Sequence, residues 1–211
     1  MSPASPKVQP VLSDWQGTPE LETELRDCLV ADKSFASSKR LLVEGCKLKA
    51  IGLTSARFDK LEVTDTFMYH IEAAGMRSYG ANFLRSEIAD CRFTGADFAE
   101  AQFEDCIFKN VKFDEAGFRF VTFKRVRFEN CVLRQADFSS AKLSHVSFED
   151  CELEDSNFAN GVCGKVDLGN ENLTNVKGVL GLKGANISDE QLIQIAPLLA
   201  VELGFKLSEH A

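Results

Sequence analysis

The sequence predicts a repeat solenoid closed at both ends by short helical caps. In ADFAEAQFEDCIFKNVKFDEAGF, residues 96–118, Phe98, Phe103, Phe108, Phe113 and Phe118 fall five apart. A helix places apolar side chains every 3.6 residues and a strand every two, so the period belongs to a repeat. Its register runs unbroken from Val43 to Leu173. Two residues before each centre stands a small or β-branched residue, such as Ala96, Ala101, Cys106 or Val111, and the remaining positions are mostly polar.

The units GADF, QADF and SNF, each followed by two variable residues, resemble the A(D/N)LXX unit of the pentapeptide repeat family over about residues 41–176. The resemblance implies an all-β fold, a right-handed quadrilateral β-helix in which five residues form one side of a square coil and about 20 complete it. Roughly seven coils rising about 4.8 Å each give a rod on the order of 30 Å long.

Stacking then places residues 20 apart above one another. Phe98, Phe118, Phe138 and Phe158 are expected as one internal ladder, and Phe108, Phe128 and Phe148 as another. Outside, Arg85, Asp105, Arg125 and His145 align, as do Asp114, Arg134 and Glu154, so that opposite charges pair up the stack. Asp90, Asn110, Asn130, Asp150 and Asn170 align at a corner, where short polar side chains can bond nearby backbone.

Residues 1–17 read as a disordered tail, 18–40 as a helical cap with its connector, 41–187 as the β-helix and 188–211 as a C-terminal helical cap. In the first cap, Thr18 and Pro19 open a helix with Leu21, Leu25, Cys28 and Leu29 on one face, while Phe35 falls out of register. In the second, Ser188 and Gln191 form a capping box, Pro197 breaks or kinks the helix and Gly204 ends it. Leu192, Ile195, Leu198, Leu199 and Leu203 either plug the coil or form a homodimer interface, since some members of the family dimerise through a C-terminal helix.

The 211 residues, 45% hydrophobic, suffice for one domain, and no apolar run approaches the length that spans a bilayer. The N-terminus has no signal pattern, and five of the seven cysteines fill inward slots as reduced thiols, so the expected location is the cytoplasm. With no C-x-x-C spacing and three histidines, no metal is expected, and no cofactor. No phosphate loop or nucleophile motif occurs, and a filled coil leaves no pocket, so the chain reads as non-enzymatic.

Function is expected on the surface, through a protein partner rather than direct nucleic-acid binding. The resemblance extends to gyrase-binding quinolone-resistance proteins, whose acidic rods mimic DNA, and so implies DNA gyrase as a partner. A net charge of −8 has the matching sign, and Glu149, Asp150, Glu152, Glu154 and Asp155 make the most acidic face. Against this, Arg119, Lys124, Arg125 and Arg127 form a basic group, and the unbroken register leaves no room for projecting loops. A second candidate is an aromatic patch of Phe67, Tyr69, His70, Arg77 and Tyr79, where the centres shrink to Ala73 and Ser78 while Ile71 and Met76 enlarge. The alternative function is a structural scaffold for an unrelated protein.

Overall fold

The computed structural model describes residues 2–169 and 171–206. Its strands are β1 (Ser13–Asp14), β2 (Glu22–Arg26), β3 (Cys28–Ser34), β4 (Ser38–Glu44), β5 (Lys47–Gly52), β6 (Phe58–Thr64), β7 (Phe67–Tyr69), β8 (Asn82–Ala89), β9 (Gln102–Lys109), β10 (Thr122–Glu129), β11 (Lys142–Glu149) and β12 (Val162–Asp167). Every pairing among the described strands is parallel, and from β4 to β12 each residue meets the one 20 further on, as in Phe123↔Leu143 and Phe103↔Phe123. The chain is therefore a β-solenoid of about seven turns.

Each coil has four sides. The first two are strands, which merge into single eight-residue runs from β8 to β11. The third and fourth are bridged at single positions, for example Arg92↔Lys112 and Asp97↔Gly117. Inward centres define the sides: Phe83, Phe103, Phe123 and Leu143 on the first; Ile88, Phe108, Phe128 and Phe148 on the second; Phe93, Phe113, Leu133 and Leu153 on the third; Phe98, Phe118, Phe138 and Phe158 on the fourth, all buried. The bend between sides falls two residues after each centre, in the left-handed region, and is mostly not glycine: Asp105, Asn110, Glu115 and Phe120 have φ of 56°, 53°, 58° and 59°. The repeated backbone bonds of the stack hold these residues in a conformation that costs L-residues about 1 kcal/mol or more.

The predicted ladders form. Phe98–Phe118, Phe118–Phe138 and Phe138–Phe158 stack with centroids 5.7, 5.1 and 4.9 Å apart, and Phe108–Phe128–Phe148 at 5.0 Å per step. Rings on adjacent sides meet edge to face, as Phe113 and Phe118 do at 5.2 Å. In the N-terminal coils, where Leu, Val, Ile and Met replace most of the rings, one internal apolar void of about 20 Å³ remains, no larger than a single water. Residues 61–80 keep the register, with Ile71, Ala73, Met76 and Ser78 all inside.

The N-terminal region departs from expectation. Residues 18–40 are not a helix but an earlier coil, with β2 and β3 pairing β4 and β5. Leu25, Val30 and Phe35 are its inward centres, five apart, and this coil closes on 18 residues, as the stacked pair Cys28 and Cys46 shows. Its fourth side is short by two residues between Phe35 and Ser38, which is why Phe35 falls out of the later register. The spacing of Leu21, Leu25, Cys28 and Leu29 imitates a helix face, but parallel pairing with the next coil satisfies the backbone along this whole segment.

Residues 1–17 were expected to be disordered, yet residues 2–17 are placed against the solenoid. Ser13 and Asp14 pair with β3, and Trp15 stacks on Phe35 at 6.0 Å, covering the open end of the core. A large ring at an otherwise open coil removes more apolar surface from water than a free tail would.

At the other end, a 3₁₀ turn, η1 (Val179–Leu182), leads to a helix, α1 (Asp189–Glu202), opened by the Ser188–Gln191 capping box. Helix α1 runs through Pro197, where a break or kink was expected; Pro197 is exposed, so the carbonyl that loses its donor can turn to water. Gly204, with φ 83°, follows its end. Buried Gln191 donates from Nε2 to the carbonyls of Leu168 and Glu171, and Gln194 accepts from the Leu173 N–H. Side-chain amides thus supply the bonds that a further coil would have made.

The thiols are core filler. Burial pushes Cys91 and Cys106 up to about 12, and the hydrogen bond with Cys131, then burial, raises Cys151. Since only a thiolate attacks disulfide reagents quickly, the native protein is expected to react slowly at no more than one of its seven cysteines, half-buried Cys163, and at all seven in guanidinium. Colorimetric thiol titration checks this, and rapid labelling of several native thiols would contradict the packing.

Candidate binding surface

With the interior filled, chemistry is left to the outward positions, which form straight columns along the rod. On the bend between first and second sides, Asp65, Arg85, Asp105, Arg125, His145 and Lys165 follow one another, all with positive φ. Arg85 donates from Nε and Nη2 to the two carboxylate oxygens of Asp65 at 2.8 and 2.6 Å; Arg125 does the same to Asp105 at 2.7 Å each. Those arginines hold both carboxyls below the usual carboxylate range. Glu104 is likewise held down by Lys124 and then Arg125.

Two other columns differ from the expected pattern. Arg134 pairs diagonally with Glu152 of the next coil, on the same third side, rather than with Asp114 or Glu154, because its Nε reaches the Glu152 carboxylate at 2.6 Å. At the next bend, Asn130 donates to the Asn110 side chain at 2.8 Å and Asn110 to Asp90 at 2.9 Å. These amides bond one another up the stack rather than the local backbone; Asn170 lies outside the described residues.

The acidic group wraps one coil from the second side onto the third. Glu149 stands 3.7 Å from Arg127 and Glu152 pairs with Arg134, whereas Asp150, Glu154 and Asp155 have no cation within ion-pair distance among the described residues. The Glu154 carboxylate accepts from Asn172 at 2.7 Å. The basic group meets the acidic one only on the second side: Arg119 lies on the fourth, Lys124 on the first, Arg125 at the bend and Arg127 on the second. Each of the four has a carboxylate partner.

The aromatic patch is divided. Phe67 and Tyr69 flank Met68 on the second side, half-buried and stacked at 6.2 Å, with His70 exposed at the following bend. Arg77 and Tyr79 flank Ser78 on the fourth side, and Tyr79 is 63% exposed. The groups stand on opposite sides of the square, so they cannot act as one patch; neighbours in sequence diverge because the chain turns at every fifth residue. Sequence reasoning missed Phe120, which is 61% exposed in a left-handed bend. Its signal was an aromatic residue at a position that is polar in most units.

Of the C-terminal group, Ile195 is buried and Leu198 and Leu199 are half-buried against the core, while Leu192 and Leu203 are exposed together with Ile193, Val201 and Phe205. No helix among the described residues is long and apolar enough to cross a membrane, and no group of three His, Cys, Asp or Glu among them could hold a metal ion.

Parallel coils, a ring-filled interior and a patterned exterior define a β-solenoid repeat protein whose available chemistry lies on its outside. The family model for the pentapeptide repeat region matches residues 81–158 and 101–177. Residues 81–177 are thus a pentapeptide repeat region, as the motifs suggested. Similar solved structures include HetL, involved in heterocyst differentiation regulation in the cyanobacterium Nostoc sp. strain PCC 7120, at 13% identity over 82% of this chain and 93% of that one, with a TM-score of 0.42. QnrB1, a plasmid-mediated fluoroquinolone resistance protein, aligns at 18% identity over 93% and 98%, with a TM-score of 0.40. A pentapeptide repeat protein of the Arabidopsis thaliana thylakoid lumen aligns at 21% over 60% and 71%, with a TM-score of 0.28. No curated protein matches.

Proposed function

We propose that the chain is a non-enzymatic, cytoplasmic protein-binding module that engages DNA gyrase as a partial DNA mimic through the acidic coil at Glu149–Asp155. The observation that carries this reading is the cluster of Asp150, Glu154 and Asp155, three carboxylates within six residues of one coil with no cation at ion-pair distance among the described residues. Unpaired charge projecting from a rigid scaffold is free to meet a basic partner. The test is gyrase supercoiling with increasing protein, beside a variant in which Glu149, Asp150, Glu152, Glu154 and Asp155 become Ser. Inhibition that the variant loses supports the reading; no inhibition at many-fold molar excess sinks it and leaves the scaffold.

Two such rods associate, in this reading, through α1, whose outer face leaves Leu192, Ile193, Val201 and Leu203 in water. Replacing Leu192 and Leu203 together by Glu is expected to convert dimer to monomer in light scattering while the melting temperature of the solenoid stays within a few degrees. A monomeric parent protein would count against the dimer.

A further inference from the structure

The N-terminal segment does more than cap the coil. Before reaching Ser13 it runs along the outside of the rod, over the column of Asp65, Arg85 and Asp105. Lys7 donates its backbone N–H to Asp65 Oδ1 at 3.0 Å, and Ala4 donates its own to Asp105 Oδ1 at 3.1 Å. Both contacts are built alike. In each, Oδ1 accepts from an arginine Nε and from the segment, while Oδ2 takes the arginine Nη2.

The spacing explains the match. Asp65 and Asp105 are two coils apart, about 9.6 Å at strand spacing. Ala4 and Lys7 are three residues apart, about 9.3 Å in a polyproline-type helix rising 3.1 Å per residue. A helix of that kind turns once in three residues and would put Pro3 and Pro6 on one edge, which fits their burial: both are half-buried, whereas Ala4, Ser5 and Lys7 are exposed. Each donor directly follows a proline, which has no N–H of its own to leave unpaired.

We propose that this bend of the solenoid is a docking groove for an extended, proline-punctuated peptide segment of a protein partner, and that residues 2–8 occupy it as a built-in competitor. The carboxylates read backbone N–H groups two coils apart, the arginines fix their orientation, and the half-buried prolines supply the apolar contact. The groove lies between first and second sides, apart from the acidic coil, and does not depend on gyrase binding.

A tethered segment competes at an effective concentration in the millimolar range. The test therefore uses the full chain with Ala4→Pro and Lys7→Pro, which removes both donors while keeping the segment's extended conformation and leaving every solenoid residue in place. The probe is a peptide of residues 2–12, titrated to millimolar concentration against each ¹⁵N-labelled protein. In the variant, amide resonances around Asp65, Arg85 and Asp105 are expected to shift and saturate, with a midpoint at least about tenfold lower than in the parent chain. Equal midpoints in both proteins, or no shifts in the variant, overturn the proposal. A control peptide with its alanine and lysine replaced by proline is expected to leave the variant unshifted, and shifts equal to those of the parent peptide would also overturn it.

Discussion

Replacing Phe118 by Ala is expected to lower the stability of the solenoid by about 3–5 kcal/mol. Phe118 is fully buried. Its ring stacks between Phe98 and Phe138 and meets Phe103, Phe113 and Phe123 edge to face. Removing it deletes the transfer energy of a large ring and leaves a hole, because parallel strands locked at every coil cannot close inward. Phe120, two residues on, is the internal control. Its exposed ring gains little from folding and its φ of 59° disfavours a bulky residue, so Phe120→Gly is expected to be neutral or mildly stabilising. Urea unfolding of both variants checks the pair, and a small loss for Phe118→Ala would mean that the core is looser than the ladders indicate.

The second large effect is expected at Asp105, whose carboxylate takes two bonds from Arg125 and one from the Ala4 N–H. Asp105→Ala leaves the guanidinium with Glu104 as its remaining partner, in a half-buried setting, and should cost about 3 kcal/mol. The double variant with Arg125→Ala should recover part of that loss. The sign of the pH dependence follows from the arginines, which hold Asp65 and Asp105 below their unfolded pKa. Their contribution is present above about pH 4 and is lost as the pH falls through the folded values. Asp105→Ala is therefore expected to flatten the acid limb of the stability curve; an unchanged limb would exclude this pair as its source.

Much of the fold was legible because one slot in five must be apolar for a square coil to close, and a Phe in that slot repeats too regularly to be missed. The N-terminal coil was not read, although Leu25, Val30 and Phe35 carry the same spacing, because two missing residues after Phe35 break the phase. The tail was not read because its anchors are side chains about 60 and 100 residues away, which local composition does not record. At the surface, columns were predictable but partners were not: Arg134 turned diagonally to Glu152, and the expected aromatic patch fell on two separate sides. Outward side chains choose among several neighbours at similar distance, and the repeat constrains only where each begins.

The 20-residue register also governs how such a chain can change length. Duplicating residues 98–117 in tandem would add one storey of about 4.8 Å and return every later side chain to its own face. Duplicating a single unit of five would instead rotate everything beyond it by a quarter turn, carrying the acidic coil and α1 to different compass points relative to the N-terminal strap. The molecule is thus adjustable in height by whole storeys and in bearing by quarters, each independently of what its surface displays.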